Sequence, residues 1–157
     1  MTKEEVALQR IEDWVAGGGT LPDKVSKEQL AAFVCVESAG NALDSLNRPI
    51  IRFENHVFFN RFGNTNLKLF QQHYQFNSVK RWTEHKYRLS ETSEWIKMHT
   101  GDNQIEWSAM TLATGLSGES FDPALESSSY GLGQVMGFHW KRLGYASIKE
   151  YMDDKVY

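Results

Sequence analysis

The segment Ser26–Gly40, SKEQLAAFVCVESAG, constrains the fold of this chain more than any other. Ser26 and Gln29 have the spacing of a capping box, in which each side chain bonds the backbone N–H of the other residue, so a helix should begin here. Apolar residues cover most of the circumference of that helix, and Gly40 can supply the left-handed residue that ends it. The sequence therefore predicts a buried helix that carries one carboxylate, Glu37, near its C-terminal end.

Glu37 has two interpretations on this segment alone. Partial burial favours the protonated form of a carboxyl group, and a group that holds its proton near neutral pH can act as a general acid. Charged residues are also common at helix ends, where an ordinary glutamate turns toward solvent. Both interpretations stay open at this point.

Composition and charge exclude several classes of protein. The 157 residues are enough for one domain with its own core, and the net charge of −3 argues against a protein that coats nucleic acid. The first residues, MTKEEVALQR, lack the apolar core of a signal peptide, and no apolar run approaches the roughly 20 residues of a membrane span. We therefore expect a chain made in the cytoplasm, with no nucleic-acid partner and no membrane span.

Elimination leaves carboxylate chemistry. The five histidines lack the His-Glu-x-x-His spacing of zinc hydrolases, and the single cysteine, Cys35, allows neither a thiolate metal site nor an internal disulfide. No Gly-x-Ser-x-Gly nucleophile elbow is present. Glu37, Asp44 and Glu54 lie close together in the sequence and could face one cleft, and paired carboxylates are the groups that glycoside hydrolysis requires. We therefore expect no metal and no cofactor.

The other elements are predicted from hydrophobic periodicity and from turn residues. Segment 127–137 concentrates small residues, which indicates that its backbone comes close to another element or to a ligand. The predicted helices include Thr2–Ala16, Glu91–His99, Gln104–Thr114, Phe138–Leu143 and Ser147–Val156, and Asn55–Phe62 is predicted as a short helix or a turn. The predicted strand is Ile50–Glu54, with Leu43–Leu46 as its possible hairpin partner.

Several motifs resemble those of a known family. Residues 36–40, VESAG, and residues 131–136, GLGQVM, resemble the Glu-Ser and Gly-Leu-x-Gln signature of the lysozyme-like superfamily, which includes goose-type lysozymes and lytic transglycosylases. More narrowly, residues 48–58, RPIIRFENHVF, resemble the Arg-Pro-x-Ile-x-Phe-Glu-x-His-x-Phe stretch of the N-acetylmuramidase domain of phage endolysins. Residues 124–138, ALESSSYGLGQVMGF, resemble the second block of that domain.

The resemblance implies a fold and a place of action. It implies a mainly α, lysozyme-like α+β domain over residues 1–157, with a small β-hairpin or strand element after the catalytic helix. Family members usually continue with further C-terminal helices, so this chain is expected to be either a compact variant or a fragment that lacks them. The implied partner is the glycan strand of peptidoglycan, reached after release by a holin or a secretion system. A delivery or immunity partner is not identified by the sequence.

The resemblance also implies a reaction. It is hydrolysis of the β-1,4 bond between N-acetylmuramic acid and N-acetylglucosamine, inverting by analogy with the goose-type branch. The alternatives are a lytic transglycosylase, which releases anhydro-muropeptides, and a peptidoglycan-binding module without turnover. Glu37 matches the general acid, and Asp44 or Glu54 is the candidate second carboxylate, although Glu54 could instead brace the site. The residues expected to bind substrate are Ser38, His56, Ser128, Tyr130 and Gln134.

Overall fold

The structure, a computed structural model, describes residues 1–38 and 41–154. Its helices and small antiparallel sheets confirm the predicted mainly helical α+β class. The chain divides into two compact units. The first unit contains Met1–Ile50 and Tyr130–Gln134, and the second contains Ile51–Ser129 and the described part of Val135–Val156. Whether residues 1–157 act as one domain stays a prediction.

Two helices form most of the first unit, α1 (Lys3–Ala16) and α2 (Lys27–Ser38). The capping box of α2 is confirmed, because Gln29 Oε1 accepts from the Ser26 N–H at 2.8 Å and Ser26 Oγ accepts from the Gln29 N–H at 3.2 Å. Thr2 and Glu5 form the same motif at the start of α1. The predicted cap at Gly40 lies outside the described residues.

The core of the first unit is smaller than the sequence predicts. Its buried members are Ala7 and Ile11 of α1 with Ala31 and Val34 of α2, and Leu132 packs against them. The prediction that α2 is buried on most sides is wrong, because Phe33 is 51% exposed and Val36 is 82% exposed. The one neighbouring helix in this unit covers only one face of α2, so apolar residues on the other faces are not covered by it.

A tight turn leads out of the first unit. Leu43 pairs with Pro49 in an isolated antiparallel bridge, and the Asp44 N–H donates to the Arg48 carbonyl at 2.8 Å. The Ile50 N–H donates to the Ala42 carbonyl at 2.8 Å. The sequence left open a hairpin between Leu43–Leu46 and the strand Ile50–Glu54. The structure shows a tighter turn instead, which closes at the Leu43–Pro49 bridge before that strand.

The second unit combines short helices with two three-stranded sheets. The first sheet has the order β1-β5-β6 and the second has the order β2-β3-β4, with Tyr74 opposite Tyr87 and Lys86 opposite Lys97. Tyr130, the last residue of β5, belongs to the first unit. The strands are β1 (Ile51–Phe53), β2 (Tyr74–Gln75), β3 (Lys86–Tyr87), β4 (Ile96–Lys97), β5 (Ser128–Tyr130) and β6 (Val135–Met136). The helices are α3 (Asn55–Phe58), a π-helix (Phe59–Gly63), α4 (Leu67–His73), α5 (Asn103–Leu116), α6 (Asp122–Leu125), a 3₁₀ helix (Gly137–His139) and α7 (Ile148–Asp153).

The predictions for the second unit differ in their outcome. The strand after Pro49 and the helices at α3, α5 and α7 are confirmed within the described residues. The predicted helix Phe138–Leu143 is wrong, because the structure has only the 3₁₀ helix Gly137–His139 there, followed by turns. The predicted helix Glu91–His99 is also wrong, because this segment contains β4. Its residues pair with β3, and that pairing outweighs a weak helical pattern. The close backbone approach expected near residue 137 is confirmed, since a Cβ on Gly137 would lie 2.5 Å from the Leu125 carbonyl oxygen.

Aromatic rings and the small residues of α5 form the core of the second unit. Phe53, Phe58 and Tyr74 are almost completely buried, and their ring centroids lie 5.4–5.8 Å apart. Ala109 of α5 is completely buried, and its carbonyl accepts from the Tyr74 hydroxyl at 2.7 Å. α5 packs against β1. The end of β1 is therefore fixed by a rigid aromatic core.

Candidate active site

The predicted site residues lie in both units, and each is described within its own unit. Glu37 is in the last turn of α2, beside the exposed Val36, and is itself exposed. The partial burial that the sequence predicts for it is therefore not seen. Ser38 is the last residue of α2. Glu37 thus offers an accessible carboxylate at the end of a helix whose position is fixed by the core of the first unit.

Asp44 is engaged in the turn that precedes β1. Its Oδ1 accepts from the Leu46 N–H at 2.9 Å and from the Arg48 N–H at 3.0 Å. Its Oδ2 pairs with the Arg48 guanidinium, 2.7 Å from Nη2 and 2.9 Å from Nε. Both oxygens hold the turn together, which favours a structural role for Asp44.

Tyr130 and Gln134 lie in the segment that completes the first unit. Tyr130 is completely buried, which disfavours direct contact between its ring and a sugar. Gln134 Nε2 donates to the carbonyls of Ile50 at 3.1 Å and Gly131 at 2.8 Å. The Gly131 N–H also donates to the Ile50 carbonyl, at 2.8 Å. The Gln134 amide therefore fixes this loop against the end of the hairpin turn.

Ser128 lies in the second unit and is also completely buried. Its Oγ donates to the sulfur of Met110 in α5, at 3.2 Å. This contact joins β5 to α5, and it gives Ser128 a packing role in the structure.

Glu54 and His56 belong to a buried polar cluster at the end of β1. The Glu54 side chain is 13% exposed, and its Oε1 pairs with Arg52 Nε at 2.8 Å. Its Oε2 lies 3.4 Å from His56 Nδ1 and 3.5 Å from His85 Nδ1. Glu54 Oε2 and His56 Nδ1 are buried and have no hydrogen-bond partner among the described residues. Such orphaned buried atoms are rare in native proteins.

His85 and His99 complete this cluster. The His85 side chain is 0% exposed, and its Nε2 donates to the Arg81 carbonyl at 2.8 Å. His99 Nε2 donates to the Phe53 carbonyl at 3.1 Å. The centroids of the His85 and His99 rings lie 4.5 Å apart. No sequence pattern indicates a role for these two histidines, because strand pairing and not spacing brings them to Glu54.

Glu106 of α5 holds the backbone around the cluster and was also missed. Its Oε2 accepts from the Phe53 N–H at 3.0 Å, and its Oε1 accepts from the His99 N–H at 2.7 Å. One buried carboxylate therefore ties the end of β1 to the segment that follows β4. In the sequence, Glu106 is only a glutamate within the predicted helix Gln104–Thr114, and nothing there indicates its bonds to Phe53 and His99.

Burial controls the protonation of these groups. It lowers the pKa of His85 to about 4 and also lowers the pKa of His56, although the Glu54 charge raises both. Burial raises the pKa of Glu106, against the bonds from His99 and Phe53. The His56 and His85 rings are therefore neutral near pH 7, and they present lone pairs that can accept a proton or bind a cation.

A pocket of about 290 Å³ opens elsewhere in the second unit. Its walls combine aromatic faces with amide groups, and the Arg81 guanidinium lies 5.3 Å from the centroid of the Phe76 ring. Surfaces of this kind suit the apolar faces and amides of a sugar. The lining residues are Phe59, Phe70, Gln71, Tyr74, Gln75, Phe76 and Ser78.

Comparison with known families identifies the chain. The model of the N-acetylmuramidase family matches residues 26–156, a range that starts at the cap of α2 and includes all the predicted site residues. The chain belongs to the N-acetylmuramidase family. This confirms the resemblance to that family.

A solved structure supports the fold of this family member. The crystal structure of the Burkholderia AP3 phage endolysin matches it with a TM-score of 0.52 and 24% sequence identity. The match covers 95% of this chain and 46% of the endolysin chain, so the chain spans about half the length of that protein. No curated protein matches the chain. Among residues 1–38 and 41–154 of this family member, every helix is too short or too polar to cross a membrane.

Proposed function

We propose that this member of the N-acetylmuramidase family cleaves the β-1,4 bond between N-acetylmuramic acid and N-acetylglucosamine, with Glu37 as the general acid. One observation carries the proposal. The family match begins at the cap of α2, and this helix presents Glu37 as an exposed carboxylate at its end. A polymeric substrate can approach a carboxylate of this kind directly. We further propose that the enzyme reaches peptidoglycan after release by a holin or a secretion system.

The first step is proton transfer. The protonated Glu37 carboxyl donates to the glycosidic oxygen while positive charge develops on the muramic acid C1, so that the N-acetylglucosamine leaves as an alcohol. Water then adds to C1 from the opposite face and gives a product of inverted configuration. That water needs a base to take its proton, and the predicted bases are Asp44 and Glu54.

The surroundings of the two predicted bases favour a variant of this reaction. Both oxygens of Asp44 hold the Arg48 turn. Glu54 has one oxygen paired with Arg52, and its other oxygen is buried among histidines. A carboxylate held in this way is poorly placed to activate a water molecule from solvent. Glu54 is therefore better suited to brace the end of β1 than to act as the base.

Without a positioned base, the muramic acid 6-hydroxyl is the alternative nucleophile. Its oxygen would attack C1 while the Glu37 carboxylate, which has already given up its proton, takes the hydroxyl proton. The product is then a 1,6-anhydro sugar, and the enzyme is a lytic transglycosylase. The engagement of both candidate bases is the observation that favours this second function.

Mass spectrometry of the muropeptides released from purified sacculi separates the two reactions. Hydrolysis gives reducing muramic acid ends, and transglycosylation gives anhydro ends that are lighter by one water. Release of neither product would contradict both reactions and would leave a module that only binds peptidoglycan.

The role of Glu37 is tested by Glu37→Gln, with Glu28→Gln as the matched control. Glu28 is an exposed glutamate in the first turn of the same helix. We expect Glu37→Gln to lower the rate of cell-wall clearing by about 10²–10⁴, the usual contribution of a general acid. Thermal melting and co-sedimentation with sacculi should stay unchanged. A Glu37→Gln protein that is folded and clears cell walls like its parent would refute the assignment.

A further inference from the structure

Three side chains from separate segments of the second unit meet at one point. Glu54 follows β1, His85 precedes β3, and His99 follows β4. One ligand atom of each lies within 4.8 Å of the other two. Glu54 Oε2 and His85 Nδ1 are 3.5 Å apart. In a tetrahedral zinc site with bonds of about 2.1 Å, neighbouring ligand atoms lie roughly 3.4 Å apart, so this edge already has the required length.

The hydrogen bonds of the two histidines orient their rings. A carbonyl oxygen can only accept, so His85 Nε2 carries the proton in its bond to Arg81, and Nδ1 keeps its lone pair. That lone pair faces Glu54 Oε2, with one long bond from the Asn55 N–H at 3.3 Å. The ring of His99 is held by the Phe53 carbonyl. Histidines that ligate metals usually donate their other N–H in this way.

The cluster is electron-rich and lacks a compensating positive charge at its centre. Glu54 Oε2 is buried without a hydrogen-bond partner among the described residues, although its other oxygen is paired with Arg52. A buried carboxylate oxygen that faces unprotonated imidazole nitrogens is costly unless something positive lies between them. A bound cation would satisfy Glu54 Oε2, and on His85 Nδ1 it would compete only with the long bond from the Asn55 N–H.

We propose that Glu54, His85 and His99 bind one divalent transition-metal ion, with Zn²⁺ as the best fit. Two imidazoles and one carboxylate suit zinc, whereas Ca²⁺ and Mg²⁺ prefer sites made of oxygen alone. The ion ties the end of β1 to the segments that flank β3 and β4, and it stabilises the second unit. This inference goes beyond the proposed reaction and does not depend on it. It differs from the expectation of no metal, which rested on local histidine spacing.

The first experiment uses the whole chain, stripped with a chelator and then freed of it. Titration with Zn²⁺ in a calorimeter should give one ion per chain, and the melting temperature should rise with Zn²⁺ concentration. Co²⁺ in place of Zn²⁺ should give the visible bands of a four-coordinate site. Mg²⁺ should do neither. Absence of stoichiometric Zn²⁺ or Co²⁺ binding would overturn the proposal.

The second experiment assigns the ligands. Glu54→Gln and His99→Gln should each weaken Zn²⁺ binding by at least about 100-fold, because even outer-shell partners contribute about 10–100-fold. The matched control is His139→Gln, which changes a histidine of the same unit outside the cluster and should leave the affinity unchanged. Equal affinity in all three variants would contradict this ligand set.

A measurement on the unsubstituted chain covers the case in which a variant fails to fold. Addition of Zn²⁺ should shift the imidazole nitrogen resonances of His85 and His99, with those of His73 and His139 unmoved. Shifts confined to His73 or His139 would overturn the proposed site.

Discussion

The first unit buries four aliphatic side chains between two capped helices, whereas the second unit surrounds an aromatic core with buried polar groups that bond distant backbone. The two units differ in the sequence separation of the residues whose contacts stabilise them. Capping boxes join residues three apart. Glu106 joins α5 to Phe53, 53 residues away in the sequence. Local contacts can be read from a sequence, and a bond of the second kind cannot.

Removal of Glu106 should have the largest effect on stability. Glu106→Leu leaves the backbone N–H groups of Phe53 and His99 buried without their acceptor, and we expect the free energy of unfolding to fall by about 3 kcal/mol. Glu106→Gln keeps one acceptor oxygen and should cost about half as much. Urea denaturation of both variants measures this. A Leu variant as stable as the Gln variant would show that the two bonds do not hold the second unit.

Truncation of the aliphatic core should have a smaller effect. Ile11→Ala removes one of four buried side chains, and we expect a loss of about 2 kcal/mol, at the low end for such changes, because a core between two helices can relax. Val6→Ala, at a partly buried position of the same helix, is the control and should cost less. Hydrogen exchange should report the loss in residues 3–38. Equal loss of protection in α5 would mean that the units unfold together.

Loss of the N-terminal cap of α2 should lower the stability less than either of these two changes. Ser26→Ala removes the acceptor of the Gln29 N–H, and we expect a loss of about 1 kcal/mol. Ser26→Asp retains an acceptor and should restore most of the stability. Thermal unfolding followed by circular dichroism measures both variants. An unchanged melting temperature in Ser26→Ala would indicate that packing alone fixes the start of α2.

The smallest predicted effect is a loss of stability at alkaline pH. It arises from two tyrosines in the C-terminal part of the second unit and leaves the stability at neutral pH unchanged. The bond from Tyr145 to Asp154, at 2.6 Å, raises the pKa of the tyrosine to about 12, and burial raises that of Tyr151 to about 12. Their contribution to stability is therefore complete below about pH 10 and is lost as the pH rises toward 12. Tyr145→Phe should reduce this loss. A spectroscopic titration in which all tyrosines ionise near pH 10 would contradict the prediction.

Much of the fold was accessible from the sequence because its signals are local. The starts of α1 and α2, the strand after Pro49 and the family motifs each depend on neighbouring residues. The exposure of Phe33 was not accessible, since it depends on how many elements cover α2. The sequence around Ile96 predicts a helix, because the strand pairing of Ile96 with Tyr87 cannot be seen within that segment.

The candidate site divides in the same way. Glu37 and Glu54 stand in recognisable motifs, and their roles stay proposals. His85 and His99 lie 14 residues apart, a separation without meaning until Lys86 is seen opposite Lys97. Asp44 is predicted from its charge and from its position between Glu37 and Glu54 in the sequence. Its bonds to Arg48 depend on a turn geometry that neither of these reveals.

The first unit takes Leu132 into its core, although most of its residues come from the start of the chain. A ribosome makes residues 51–129 before it reaches that leucine. During translation, α1 and α2 are therefore complete while Leu132 is still missing from their shared core. The core that includes α2 therefore receives Leu132 only after residues 51–131 have been synthesised.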